Sequence, residues 1–393
     1  MTPPLEGVRI LDLTRLLPGA ICTLLLADLG ADVIKIEAPG GGDYARHMPP
    51  LIDGEGAVFR ATNRGKRSAV IDLKDERGQA LLARLATRAD VLVESYRPGV
   101  MARLNCGYES LRAHNPRLIY VSLSGWGQTG PYAAHAGHDL NYLAVSGMLG
   151  AMAMPQPLGG QAADVAGAYA AAAAIAAALL RARSTGEGAF IDLSLYEAGL
   201  LLGTVALVEA AAARAGNQHA LPFGRGALSG RQACYNVYHA ADGRAVALAA
   251  LEPKFWANFC YAVDRPDLIE GYLDPEHQPD LIAELRRLFA SRSSSEWAAL
   301  LIPAECCFTL VNTPDDALDD PQAKARGLVQ WAEDGSLHLS SPLHLDKTPA
   351  VAATSPAPRF GADTRDVLTE AGLGQDEIDA LVELGVIGMG ESD

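Results

Sequence analysis

The chain has 393 residues, 49% hydrophobic and 20% charged, enough for a large buried core and, by length alone, about two to three domains. Its formal charge of −15 creates a field that repels nucleic acid and anionic membrane, so neither is expected as a partner, and an anionic ligand needs a local basic patch. The six cysteines (22, 106, 234, 260, 306, 307) show no C-x-x-C or Cys/His metal spacing, and no charged-then-apolar leader precedes the first strand; a reduced, cytoplasmic protein without metal is expected.

Val8 to Leu13 reads as a short apolar strand, Pro18-Gly19 as the start of a helix over Ile21 to Leu29, and Val33 to Glu37 as a second strand, together a β-α-β unit. The first turn, Thr14 to Gly19, lacks the spaced glycines of the dinucleotide fingerprint, so Rossmann-like topology does not here imply NAD. A polar, glycine-rich loop from Pro39 to Gly54 leads to Asn63-Arg-Gly-Lys-Arg67 and a strand from Ser68 to Leu73. Arg64, Lys66 and Arg67 beside a glycine read as a phosphate clamp, since Arg binds phosphate bidentately; a solvated loop before a strand is the other reading. A helix over Glu76 to Thr87 and a strand over Val91 to Glu94 follow, then Tyr96-Arg97-Pro98-Gly99. Arg97 stands at a strand's C-terminal end, where open α/β sheets place ligands, and is a second candidate phosphate ligand.

After a helix near Ser110, the strand Leu118 to Leu123 runs into a stretch where most of the chemistry is expected. Ser124-Gly-Trp-Gly-Gln-Thr-Gly-Pro131 is a glycine-rich turn that can bring backbone N–H groups to an anion or thioester. Gly137-His138-Asp139-Leu-Asn-Tyr142 carries a His-Asp pair, and Asp164 enters a long alanine-rich helix. On spacing alone, helix caps and surface groups explain the same residues, because helix starts favour Asp.

At this point the chain resembles the family III coenzyme A transferases (CaiB/BaiF), the group that includes the α-methylacyl-CoA racemases. The resemblance rests on Gly7 to Leu13, Ala27 to Glu37, Asn63 to Ser68, Arg97-Pro-Gly99, Leu123 to Pro131 and Asp376-Glu-Ile-Asp-Ala-Leu381, in the family's order over nearly the whole chain. In the racemases, segments like Gly137 to Tyr142, Asp164-Val-Ala-Gly167 and Leu251-Glu252-Pro253 supply a catalytic His, a catalytic Asp and a Glu that supports the His. The resemblance therefore implies catalytic roles for His138, Asp164 and Glu252. Gly137, Asp139 and Tyr142 join Arg64, Lys66, Arg67 and Arg97 as candidate substrate or CoA contacts. The transferases share the Asp, as a nucleophile towards acyl-CoA, but usually carry an aromatic residue where this chain has His138.

Moving a proton on and off the carbon beside a thioester takes one group on each face, and His (reference pKa about 6.5) with Asp (about 3.9) can divide the task once their surroundings tune them. The enolate oxygen also needs donors. N–H groups at the start of the Asp164 helix suit that task, one such donor stabilising a transition state by about 2.7–4 kcal/mol.

The alanine-rich helix from Ala162 to about Ala182 reads as a tightly packed internal helix rather than a membrane span. Gly186-Glu-Gly188 turns into a strand over Ala189 to Leu193 and a second long helix over Ser194 to Ala213, with Ser194 a candidate N-cap. From about Pro222 the composition changes: Gly224-Arg-Gly226, a hairpin of Cys234 to His239 with Ala245 to Leu251, then Glu252-Pro253 opening a helix. Helices over Leu281 to Ala290 and Ser295 to Leu301 continue this part, and Cys306-Cys307 read as buried thiols beside an apolar strand. After Asp320 the chain is expected to return to the first domain. Pro342 to Pro358 reads as an extended strap, and Thr364 to Gly372 and Gln375 to Leu384 as helices.

The fold class expected is α/β: a Rossmann-like large domain (1–215) plus a smaller α+β domain (222–320), with 321–393 completing the large one. The resemblance adds an interlocked homodimer of open rings, in which His138 and Asp164 face Glu252 of the partner subunit. Two departures matter. Where many relatives have an Arg on the adenosine phosphate, this chain has Ala38, leaving Arg46, the Arg64 cluster or, least suitably, Lys35 on Glu37's strand face to compensate. Where transferases tend to have a glycine-rich loop, Ser229-Gly230-Arg231 has a single glycine, which favours the racemase branch. The leading expectation is racemisation of 2-methylacyl-CoA thioesters by His138 and Asp164, with CoA as part of the substrate and no other cofactor. The alternatives are a CoA-transferase acting through an aspartyl-CoA thioester on Asp164, and a non-catalytic CoA-thioester binding protein.

Overall fold

Strands covered on both faces bury nearly every side chain, and β1 (Arg9–Leu13), β2 (Asp32–Glu37), β3 (Arg67–Ile71), β4 (Val91–Glu94) and β5 (Ile119–Ser124) do so, Asp12, Lys35 and Ser122 included. A computed structural model describes residues 2–216, 226–345, 348–349 and 355–390. With β6 (Ala189–Ser194) these strands form a parallel sheet in the order β3-β2-β1-β4-β5-β6, and Ile387–Gly388 adds an antiparallel strand on the outer edge of β3.

Alternate residues of the strands feed two cores. Leu11, Leu13, Ile34, Ile36, Leu92 and Tyr120 face one cluster, completed by residues from helices on that side such as Leu82 and Leu368. Ile10, Val33, Val91, Val93, Ile119 and Val121 face the other, with Cys22 and Leu26 of α1 (Leu16–Asp28). The strand order reverses between β1 and β4, so the crevice beyond their C-terminal ends is a topological switch point, the place where open α/β sheets bind ligands. The chain leaves β1 there at Thr14-Arg15 and leaves β4 at Ser95-Tyr96-Arg97.

The chain divides into two compact units, one of Met1–Leu143, Gly159–Leu202 and Pro321–Asp393, and another of Ala144–Leu158 and Gly203–Asp320. Residues 144–158 and 203–215 therefore group with the second unit, a correction to the expected large domain of 1–215. The Gly224-Arg-Gly226 segment and the Pro342 to Pro358 run lie wholly or partly outside the described residues, although His344–Leu345 pairs with Thr348–Pro349 as a short antiparallel ladder.

The short helices α2 (Asp139–Val145) and Ala57–Asn63 are among those the sequence did not lead one to expect. The alanine-rich helix α3 (Ala162–Thr185) buries Ala163, Gly167, Ala168, Ala171, Ile175, Leu179 and Ala182; a Cβ on Gly167 would lie 2.4 Å from Leu195 Cδ2 of α4 (Leu195–Leu202), so a larger residue there would require the Leu195 side chain to move. By length and composition α3 could cross a membrane, and only 33% of its most apolar stretch is buried, so it is less enclosed than the tightly packed internal helix expected. The expected helix over Ser194 to Ala213 is broken: α4 ends at Leu202, and α5 (Thr204–Arg214) starts after Gly203, glycine being a poor helix former. The Ser194 hydroxyl accepts from Glu197 N–H at 3.3 Å.

In the second unit, β7 (Tyr235–His239), β8 (Ala245–Ala249) and β9 (Phe308–Leu310) form an antiparallel sheet. Its core is aromatic: Trp256, Phe259, Phe289 and Trp297 are buried, and both indole N–H groups are satisfied by carbonyls, of Leu268 and Phe289. Cys306 is buried there, whereas Cys307 is exposed, which corrects the reading of both as buried thiols.

Candidate active site

The Gly-His-Asp-Leu-Asn-Tyr segment is a helix start. Asn141 Oδ1 accepts from the His138 N–H at 3.0 Å, half of a reciprocal cap, and leaves the His138 side chain exposed at the head of α2. One turn on, Tyr142 is buried, donates its hydroxyl to the Gly137 carbonyl at 2.7 Å and meets Trp126 edge-on at 5.0 Å. A Cβ on Gly125 would sit 2.2 Å from the Tyr142 hydroxyl, and one on Gly137 2.8 Å from its ring, so the glycines are what let the turn close over this tyrosine.

Asp139 performs a different task from the expected substrate contact. Its Oδ1 accepts from the N–H groups of Ala163 and Asp164, at 2.7 and 3.0 Å, and so caps α3 from outside that helix. The His138 segment and the Asp164 helix are thereby tied together by one carboxylate. The same bonds occupy the donors that the sequence reading offered to an enolate oxygen, which corrects that expectation. Burial, and then the nearby Asp139, raise the Asp164 carboxyl from the ordinary aspartate range to about 7. Burial, then Asp164 and Asp139, push the Tyr142 phenol up to about 12.

At the switch point a cavity of about 400 Å³ is lined by Ser95, Tyr96, Arg97, Gly137, His138 and Tyr142 among others. A second, of about 340 Å³, is lined by Glu94, Arg97, Tyr108, Tyr120, Ser122 and Gln128 among others. Arg97 is exposed and borders both. Arg15 lies beside the same loop, its backbone N–H on Ser95 Oγ at 3.1 Å and its guanidinium 5.1 Å from the Tyr44 ring centre and 5.4 Å from that of Tyr96. Glu94 and Arg15 were missed by the sequence reading; their only signal was position, each lying at the C-terminal end of a strand facing the switch point.

The expected phosphate clamp is not assembled. Arg64 is buried and spends its fork on Asp28, at 2.5 and 2.8 Å, and on the Leu339 carbonyl at 3.0 Å. Lys66 is buried among Asp12 Oδ2 (3.2 Å), the Ala20 carbonyl (3.1 Å) and Asn63 Oδ1 (2.8 Å). Burial lowers its ammonium to about 8 despite the pull of Asp12. Arg67 is partly exposed but forked onto Asp32 and Glu370. The physical reason is that a buried charge such as that of Arg64 or Lys66 must be paired, and all three cations have carboxylates within reach.

The proposed substitutes for an Arg at Ala38 are engaged in the same way. Lys35 is buried, pairs with Asp43 at 2.9 Å and donates to the Thr14 carbonyl; burial disfavours its charge, but Asp12, Asp43 and Glu37 outweigh that and raise its pKa. Arg46 grips Glu37 bidentately at 2.9 and 2.7 Å. Of the seven candidate phosphate or substrate contacts, Arg97, Gly137 and Tyr142 are therefore the ones at the His138 cavity.

Glu252 belongs to the second unit, where it is the exposed N-cap residue of α6 (Pro253–Ala262). Among the described residues no group of three or more His, Cys, Asp or Glu side chains could hold a metal ion. The Trp126 indole N–H is buried with no acceptor among them.

The profile of CoA-transferase family III matches residues 5–364, and the chain belongs to this family. It is 32% identical to the human alpha-methylacyl-CoA racemase over 388 residues, 95% of each chain. It is 35% identical to the succinate–glutarate CoA-transferase of Agrobacterium fabrum over 395 residues, 94% of this chain and 96% of that one. The crystal structure of a CAIB/BAIF family protein from Brucella suis superposes with a TM-score of 0.81 at 29% identity, over 94% of this chain and 100% of that chain. Family III CoA-transferases and racemases act on CoA thioesters, and the relatives include both racemases and transferases.

Proposed function

We propose that the protein racemises 2-methylacyl-CoA thioesters, His138 and Asp164 exchanging the α-proton on opposite faces through an enolate, with Glu252 supporting His138. The observation that carries the reading is the Asp139 link: the residue after His138 caps the backbone start of the Asp164 helix, and burial with the nearby Asp139 brings the Asp164 carboxyl to about 7, where it can both accept and return a proton near neutral pH. Arg97 is the proposed CoA-phosphate ligand, being the expected cation that remains exposed at the cavity. The catalytic form proposed is an interlocked homodimer.

The similarity to CoA-transferases favours a second reading, in which Asp164 attacks an acyl-CoA and expels the CoA thiolate to give a mixed anhydride, and the thiolate then attacks the aspartyl carbonyl, releasing the donor carboxylate and leaving an aspartyl-CoA thioester. The two readings treat the α-proton differently. Incubated in deuterated water without an acceptor acid, a racemase puts deuterium on the α-carbon of a 2-methylacyl-CoA and drives either epimer towards a mixture. His138→Ala is expected to slow that exchange about a hundredfold. If no deuterium enters, free acids become thioesters and hydroxylamine traps Asp164, racemisation is wrong and the transferase reading stands.

A further inference from the structure

We propose that Glu94 is a positioning residue of the thioester site: its carboxyl fixes the Ser95–Tyr96–Arg97 segment so that Arg97 meets the phosphates of CoA. The inference rests on the reading of Arg97 given above.

Glu94 is the last residue of β4 and is only 4% exposed, yet no cation is paired with it among the described residues. Buried carboxylates elsewhere in this unit are treated differently: Asp28 has Arg64, Glu37 has Arg46 and Asp12 has Lys66. Leaving a buried carboxyl without a cation is costly, and burial raises this one to about 7. What the carboxyl does instead is accept hydrogen bonds from two groups on different elements. The Ser122 hydroxyl of β5 donates to Oε1, and the Tyr96 N–H donates to Oε2 at 2.7 Å. The second bond satisfies a backbone donor just where the chain has left the sheet.

From there the loop is fixed by its own geometry. Ser95 Oγ accepts the Arg15 N–H, and the Arg97 carbonyl accepts from Val100 N–H at 3.1 Å across Pro98-Gly99. Gly99 at φ 80° and ψ −7° gives the type II turn that this Pro-Gly pair favours. The Arg97 guanidinium itself has no hydrogen-bond or ion-pair partner among the described residues, so its place at the two cavities is set by its backbone, and that backbone is held by Glu94. Glu94 acts through Arg97 rather than on the ligand, and its loss falls on affinity for the CoA moiety, not on proton exchange at His138.

A double-mutant cycle tests this, with free CoA titrated calorimetrically into wild type, Glu94→Ala, Arg97→Ala and the double variant. Glu94→Ala is expected to weaken CoA binding about tenfold, the scale of one hydrogen bond involving a charged group. In the Arg97→Ala background the same change costs no more than about twofold. Glu94→Gln, whose side-chain carbonyl still accepts from Tyr96 N–H, stays within about threefold of wild type, and in turnover Glu94→Ala raises KM while kcat holds within about twofold. If alanine does not fold, Glu94→Met, which fills the space without an acceptor, replaces it in the cycle. A Glu94 penalty that persists undiminished without Arg97, or a fall in kcat at unchanged KM, overturns the positioning role. Arg97→Ala that binds CoA as tightly as wild type is the separate failure of the Arg97 reading, and takes the role of Glu94 with it.

Discussion

At Asp164, burial and the neighbouring Asp139 push in one direction, and two measurable consequences have opposite senses. The folded state holds a proton that the unfolded chain releases near 3.8, so between 3.8 and about 7 the native protein binds more protons and loses stability as pH rises. Asp164→Asn removes that term. It is expected to raise the melting temperature at pH 8, where wild type bears the full cost of a few kcal/mol at most, and to leave it nearly unchanged at pH 4; equal shifts at both pH values would contradict the assignment. Under the proposed racemisation, the epimer deprotonated by Asp164 needs the carboxylate, so its exchange is expected to rise through about pH 7, while the opposite epimer needs the acid and its Asp164 limb is expected to fall. Asp139→Asn removes the like charge and lowers the Asp164 pKa, so both limbs move to lower pH; stopped-time deuterium exchange across pH 5–9 reads the displacement. His138 and Asp164 could be singled out as candidates because their neighbours carry a pattern. The fate of Arg64 and Lys66 was not: three cations near a glycine look the same in sequence whether they face solvent or pair with Asp28 and Asp12, far away along the chain.

At the level of elements, the Arg64 segment is a clamp within the fold, joining the loop before β3 to α1. Arg64→Met leaves Asp28 buried and unpaired, and breaking a buried pair on one side costs about 3–5 kcal/mol. Denaturant unfolding should show that loss while CoA affinity of the folded fraction stays within about twofold of wild type; weakened binding without lost stability would restore the phosphate clamp. The long apolar strands and helices were legible because burial on both faces leaves continuous apolar runs. The break at Gly203 was not, because apolar residues lie on both sides of it and an isolated glycine inside a helical pattern is often tolerated. The Asp139 cap was hidden for a similar reason: a cap supplied from another element leaves no local signature before α3.

For the whole molecule, α5 is apolar yet buries none of its residues, and Val205 (52% exposed), Val208 (62%) and Leu207 (38%) lie open on it. Apolar surface of this kind marks an interaction site, so sedimentation is expected to show a dimer, and Val205→Asp with Val208→Asp to shift it to monomer with loss of exchange activity; a dimer unaffected by both changes would place the interface elsewhere. The parallel sheet with its Rossmann-like start was readable from the alternation of strands and helices. The grouping of 144–158 with the second unit was not, since it depends on contacts between segments distant in sequence. The antiparallel strand Ile387–Gly388 has a consequence for how the molecule is made. It closes the edge of β3 at Ile71, so a ladder opened early in translation waits for a partner synthesised roughly three hundred residues later. Until then the nascent sheet offers an unpaired row of N–H and C=O groups to any neighbouring chain, the condition under which strands add to one another between molecules. Messages broken before codon 387 should therefore yield not a soluble shortened protein but ribosome-released chains that recruit chaperones or precipitate.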